Sequence, residues 1–219
     1  MDLSYWHQKW ETNNIAFHKS EANSILVNCF SKLSLGNDSR VFVPLCGKTL
    51  DIAWLLSNGY RVAGAELVET AIQQLFMELG VEPAISRIGD VKHYSAHNID
   101  IFVGNIFGVS SEMLGPPIDA VYDRAALVAL PETVRQQYTT HLTEITDKAP
   151  QLLVTYEYDQ ALMAGPPFSI SHKEVNQHYK DTYGLTLLSS TDVPGGLKGK
   201  CEATENVWLL QTEASFSDR

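Results

Sequence analysis

Cysteine is scarce in this chain: Cys29, Cys46 and Cys201 are odd in number and lack Cys-x-x-Cys spacing. That excludes a disulfide framework and a cysteine-rich zinc site, and fits reduced thiols in a cytoplasmic protein. No apolar run approaches the roughly eighteen residues of a membrane helix, and the opening MDLSYWHQKW lacks a basic stretch followed by an apolar one. Neither secretion nor membrane insertion is expected. Positive charge is also sparse, with 16 Lys and Arg against 26 Asp and Glu, a formal net charge of −10, and the cations scattered. A nucleic-acid backbone needs clustered cations, so no nucleic acid is expected as partner, and a small ligand fits better. Repeats, low-complexity tracts and long linkers are missing from the 219 residues, so one core and one domain spanning 1–219 are expected, with no membrane partner and a monomeric state.

Glycine is short where a phosphate-binding loop would need it. The stretch Val41–Glu66, VFVPLCGKTLDIAWLLSNGYRVAGAE, runs from an apolar strand through a turn at Gly47 into a helix lined by Ile52, Leu55 and Leu56, then a second strand ending on Glu66. Gly47-Lys48-Thr49 matches the end of a Walker A loop, but Phe42 stands where the first glycine belongs. Leu45, Cys46, Lys48 and Thr49 surround a single glycine, so backbone could not approach a dinucleotide pyrophosphate and NAD is disfavoured. A cofactor with a ribose and no phosphate, such as S-adenosylmethionine, still needs the turn and the terminal carboxylate. The alternative is an ordinary α/β core unit.

The first forty residues read as helical, with Trp6 and Trp10 at helical spacing and an apolar set Ile25, Leu26, Cys29, Phe30 and Leu33. Ala71, Ile72, Leu75, Phe76 and Leu79 predict a helix capped by Gly80. Ile99–Val103 and Ile118–Tyr122 predict buried parallel strands, Pro131 opens a helix, and Gln151–Tyr156 is a further strand. A helix around Glu174–Lys180 and a final antiparallel pair, Leu185–Ser189 and Val207–Gln211, follow, joined by the glycine-rich loop 194–200. The expectation is a doubly wound α/β sandwich with a seven-stranded, mostly parallel sheet, helices on both faces and an N-terminal helical extension. Ligand should sit at the carboxyl ends of the strands, at Leu45, Glu66, Asn105 and Tyr122–Arg124.

Each candidate has a structural alternative. Glu66 accepts from a ribose or merely ends a strand. Arg124 binds a planar anion bidentately, or pairs with Asp123, Glu157 or Asp159. Trp6 and Trp10 anchor a terminal helix or meet a ligand. His93 and His97 share the i,i+4 spacing of two metal ligands on a helix, but no third ligand accompanies them and no metal is expected. Cys46 reads as a small buried residue. Lys198 and Lys200 belong to a solvated turn or to a lid over an anionic acceptor.

Six segments in order carry a more specific signal: Trp6-x-x-x-Trp10 with Ala16-Phe17-His18, VFVPLCGK at 41–48, GAEL at 64–67, YDRAALVAL at 122–130, EYD at 157–159 and GPPF at 165–168. With these the chain resembles, essentially end to end, the thiopurine S-methyltransferase family within the class I S-adenosylmethionine-dependent methyltransferases. The resemblance implies a Rossmann-like core over 40–213 behind an N-terminal lid over 1–39. It also implies methyl transfer from S-adenosyl-L-methionine to sulfur of a small aromatic or heterocyclic thiol, giving S-adenosyl-L-homocysteine, with a possible part in xenobiotic, selenium or tellurium detoxification. Family cofactor contacts carry over to Trp10, Leu45, Glu66 and Arg124, with Asn105 and Ile106 at the adenine end, and Phe17 lies against the acceptor. The 195–200 loop is short and bears lysines where vertebrate members have a longer segment with an acceptor-side arginine. No covalent catalytic nucleophile is required, because the donor methyl is already activated. Alternatives are a methyltransferase for halide, thiocyanate or metalloid oxyanions, and a non-catalytic regulator that binds the adenosyl ligand.

Overall fold

The computed structural model describes residues 3–12 and 21–212. In chain order the regular elements are α1 (Leu3–Glu11), α2 (Ser24–Cys29), β1 (Arg40–Pro44), α3 (Leu50–Ser57), β2 (Arg61–Glu66), α4 (Glu69–Leu79), β3 (Ala84–Ile88), β4 (Val91–Ala96) and β5 (Ile99–Val103). They continue with α5 (Ser111–Leu114), β6 (Ala120–Arg124), α6 (Glu132–Ile145), β7 (Gln151–Glu157), α7 (His172–Tyr179), β8 (Gly184–Asp192) and β9 (Thr204–Gln211).

One nine-stranded sheet has the order β3-β4-β5-β2-β1-β6-β7-β9-β8. The five strands from β5 to β7 are mutually parallel, whereas β9 runs antiparallel to both β7 and β8. β1 is flanked by β2 and β6, so the chain winds outward one way and then the other from β1. The switch point lies at its carboxyl end. Alternating side chains divide the core. Val41, Val43, Val62, Ile101 and Tyr122 face Leu26 of α2, Ile52 and Leu55 of α3, and Ile72 and Phe76 of α4. Phe42, Ala63, Phe102, Val121 and Leu153 face Leu114 of α5, Tyr138 and Leu142 of α6, and Tyr179 of α7.

Nine strands stand where seven were expected, because β3 and β4 form an antiparallel hairpin added to the edge of β5. β3 is exposed along most of its length and β4 fully buries only Val91 and Tyr94, so no continuous apolar run marks the hairpin in the sequence. The hairpin also corrects the placing of His93. This residue lies on β4, not on a helix, its Nε2 sits 2.9 Å from Asp100 Oδ1, and its ring stacks on Phe102 at 4.7 Å. Among the described residues, no group of three or more His, Cys, Asp or Glu is arranged to hold a metal. No described helix is long and apolar enough to cross a membrane. The amino end of β1 is fastened by buried Arg40, which donates to the Leu114 and Pro116 carbonyls and to Asp100. The candidate site residues lie at the opposite, carboxyl end.

Candidate active site

The turn after β1 is built for close approach. Leu45 and Gly47 both have left-handed backbone, φ 46° and 52°, the Cys46 N–H donates to the Ala65 carbonyl at 3.0 Å, and the Thr49 side chain caps α3 by accepting from the Asp51 N–H. Lys48 turns away and pairs with Glu78 of α4 at 2.6 Å. The Walker-like ending is therefore structural, since its lysine and threonine are spent on two helices. Cys46 is buried, and its thiol is pushed well above the ordinary range by burial first and by Glu66 second. It stays protonated and inert.

Glu66 ends β2 with 7% of its surface exposed. Its Oε2 accepts from the Gly47 N–H and its Oε1 from the Val68 N–H, each at 2.8 Å. Burial raises its pKa, opposed by these N–H donors, by that of Leu67 and by His7 of α1. A carboxylate offers about four lone-pair sites, so three N–H donors leave capacity for one more.

Trp10 of α1 covers this pair. It is 6% exposed, packs with Val68 and Ala71, and its Cζ2 lies 3.0 Å from where a β-carbon on Gly47 would stand. Gly47 is thus required twice, by its backbone angle and by the indole. Asn105 follows β5, exposed, with its Oδ1 accepting from the Phe107 N–H at 3.2 Å. The Gly104 N–H before it donates to the Glu66 carbonyl at 2.8 Å, which joins the ends of β2 and β5. Ile106 lies in the core, 1% exposed, and its carbonyl is engaged by His141 Nε2 at 2.9 Å. Phe17 lies outside the described residues.

Arg124 closes β6 with its side chain 12% exposed, and its ion pair differs from all three expected ones. The partner is Asp51, at 3.6 Å from Nη1 to Oδ2. Strand alternation explains this: Tyr122 and Arg124 project to the α3 side, while Asp123 points to the other face and accepts from Tyr138 and from the Leu127 N–H. Asp51, which sequence reasoning did not single out, is 2% exposed and also accepts from the Asn23 N–H at 2.7 Å and the Tyr122 hydroxyl at 3.2 Å. Burial, then Asp51, hold the Tyr122 hydroxyl well above its ordinary pKa, so it remains a donor.

Two further loops pack on each other. Tyr158, Met163, Leu197, Cys201 and Ala203 form a small apolar cluster, with Lys198 Nζ donating to the Pro166 carbonyl and the Tyr158 hydroxyl to that of Pro167, both at 2.7 Å. Leu197 and Cys201 are bridged, so the glycine-rich loop carries a short piece of regular pairing. Lys198 loses some of its proton affinity through burial, then through Lys9 and Lys200. α1 sets Trp10 on the turn, and Lys9 of the same helix contributes to lowering the proton affinity of Lys198.

The sheet therefore gathers Leu45, Glu66, Asn105 and Arg124 at one end, and α1 adds Trp10. Comparison with known proteins places the chain in a family. The family model described as thiopurine S-methyltransferase matches residues 1–213. A thiopurine S-methyltransferase of Xanthobacter autotrophicus is 52% identical over 96% of this chain and 99% of its own length, and one of Teredinibacter turnerae is 50% identical over 96% and 97%. Among solved structures, the fold is shared with the Burkholderia thailandensis 1,6-didemethyltoxoflavin-N1-methyltransferase bound to 1,6-didemethyltoxoflavin and S-adenosylhomocysteine. That match has a TM-score of 0.64 at 15% identity, covering 95% of this chain and 87% of that one. A TehB-like SAM-dependent methyltransferase from Corynebacterium glutamicum has a TM-score of 0.56 at 11% identity, covering 96% and 98%.

Proposed function

The chain belongs to the thiopurine S-methyltransferase family, and from that premise we propose how its residues divide the work. The protein is an S-adenosylmethionine-dependent methyltransferase acting on a small molecule. The donor set fits such a ligand: the turn offers backbone approach at one glycine, and Glu66 has acceptor capacity for a ribose hydroxyl. The Arg124 guanidinium matches a carboxylate.

When bound, S-adenosylmethionine supplies an activated methyl group for in-line displacement by a thiolate. Glu66 orients the ribose, Leu45 and Gly47 line the turn beside it, and Asn105 offers its side-chain amide at the adenine end. Ile106 can add only its backbone N–H there, its side chain and carbonyl being engaged in the core. Arg124 takes the carboxylate of the methionine moiety. Trp10 and the rest of the 1–39 lid exclude water over the 40–213 core, and Phe17 gives the acceptor an apolar face. No side chain is needed as a covalent nucleophile.

The observation that carries this reading is the convergence of Glu66, Arg124 and the Gly47 turn at the switch point under Trp10. We also propose, from the two lysines of the 194–200 loop, an acceptor bearing negative charge, such as a thiolate or a selenium or tellurium oxyanion, and a part in detoxification. Three free cysteines support a cytoplasmic location. The net charge of −10 supports a protein that does not bind nucleic acid, and we expect a monomer. Calorimetric titration with S-adenosylmethionine and S-adenosylhomocysteine, followed by mass detection of an S-methylated thiopurine, tests the assignment. Binding with product is expected; binding with no product from any thiol or oxyanion would reveal a regulator instead.

A further inference from the structure

Asp51 stands where three parts of the molecule meet. It lies in the first turn of α3, directly after the Gly47 turn, and its carboxylate is 2% exposed. Oδ1 accepts from the backbone N–H of Asn23, the residue that caps α2. Oδ2 accepts from the Tyr122 hydroxyl of β6 at 3.2 Å. Arg124, two residues further along the same strand and on the same face, brings Nη1 to 3.6 Å from that oxygen.

This last distance is informative. An arginine captured by a carboxylate makes two short parallel hydrogen bonds, about 2.7–2.9 Å each. Here a single nitrogen lies beyond hydrogen-bonding distance, and Asp51 has already engaged both oxygens with other donors. The acid attracts the guanidinium across a water-poor gap without consuming its fork. We propose that Asp51 is a positioning residue that aims Arg124 at the carboxylate of the bound cosubstrate. The inference rests on the reading of Arg124 given above and deepens it, because it assigns the orientation of the carboxylate site to a residue that touches no ligand. It also ties the N-terminal segment to that site, since the same carboxylate holds Asn23.

The test compares two ligands that share the adenosine and the thioether: S-adenosylhomocysteine, which carries the amino-acid carboxylate, and 5′-methylthioadenosine, which lacks it. In Asp51→Asn, the Kd for S-adenosylhomocysteine should rise about tenfold, as expected for a misaligned charge-assisted contact, while that for 5′-methylthioadenosine stays within about twofold. In an Arg124→Met background, Asp51→Asn should add nothing to the loss. A folded Asp51→Asn protein that weakens both ligands equally, or neither, overturns the proposal. If that variant does not fold, Tyr122→Phe, which removes one donor to the same oxygen, should show the selective loss in weaker form, and unchanged discrimination there overturns it. A wild-type protein that binds neither ligand would instead overturn the reading of the whole site.

Discussion

Gly47 and Glu66 are joined across the β1–β2 pair, the glycine N–H donating to the Glu66 Oε2 at 2.8 Å. The carboxylate that would hold a ribose is therefore also what holds the turn beside the ligand. Glu66→Ala should weaken S-adenosylhomocysteine binding by about 1–3 kcal/mol and lower unfolding stability by a similar amount, because two buried N–H groups lose their acceptor. Glu66→Gln should recover part of the stability, since one amide oxygen can still accept, but little of the affinity. Calorimetric titration beside urea unfolding would separate the two effects. Unchanged affinity in both variants would remove Glu66 from the ribose site.

Gly47→Ala tests the same turn from its other side. A β-carbon there must adopt φ near 52° and would stand 3.0 Å from Trp10 Cζ2. The left-handed backbone alone costs about 1–2 kcal/mol, and the indole has to move. The expected outcome is a shift in tryptophan fluorescence with weaker S-adenosylhomocysteine binding. A native spectrum with native affinity would show that Trp10 is not seated on the turn in solution.

Arg124→Lys keeps the charge near Asp51 and loses the planar fork. If Arg124 binds a carboxylate bidentately, the value of kcat/KM should fall about tenfold to a hundredfold, in line with a charge-assisted hydrogen bond of about 1.5–3 kcal/mol. The KM for S-adenosylmethionine should carry most of the change. Full activity in the lysine variant would make Arg124 a structural partner of Asp51.

The central βαβ unit was legible because each of its signals is local: an apolar run, a turn glycine, a helical stripe and a terminal acid within Val41–Glu66. The parallel strands β5, β6 and β7 announced themselves as continuous apolar runs for the same reason, being covered on both faces. The β3–β4 hairpin did not, since β3 faces water at the sheet edge and β4 sends only Val91 and Tyr94 fully into the core. Asp51 was hidden for a different cause. Its partners Asn23, Tyr122 and Arg124 are remote in sequence, and a lone aspartate in a helix's first turn looks like a response to the helix dipole. Register, by contrast, could have been anticipated: on a strand, Arg124 cannot share a face with Asp123, so that ion pair was ruled out by alternation alone.

Asp123 leads to a pH prediction. It is fully buried, and desolvation raises its pKa from 3.8 to about 6 despite hydrogen bonds from the Leu127 and Ala126 N–H groups and from Tyr138. Below about pH 3 the carboxyl is largely protonated in both folded and unfolded chains. As pH rises toward 6 the unfolded chain ionises first, so this group's favourable contribution is progressively lost, by about 3 kcal/mol in total. Asp123→Asn cannot ionise. Its stability relative to the parent should therefore improve between about pH 3 and pH 7 by about that amount, whatever constant loss the altered hydrogen bonds impose. Urea unfolding of both proteins at the two pH values measures it, and a constant difference would mean that Asp123 titrates normally.

Lys198 separates acceptor binding from cofactor binding. Its ammonium ties loop 194–200 to the Pro166 carbonyl, and its neighbours Lys9 and Lys200 carry the same charge. In a chain of net charge −10, a lysine that feels two other lysines gains from an anion beside it. Lys198→Met should then raise the KM for a carboxylate-bearing aromatic thiol about twofold to tenfold, the range of one hydrogen bond, and leave S-adenosylhomocysteine affinity unchanged. A neutral thiol of similar size should be affected less, because it gains nothing from the charge. Equal losses for the charged and the neutral thiol would assign Lys198 to loop architecture, and a loss of S-adenosylhomocysteine affinity would place it on the cofactor side of the site.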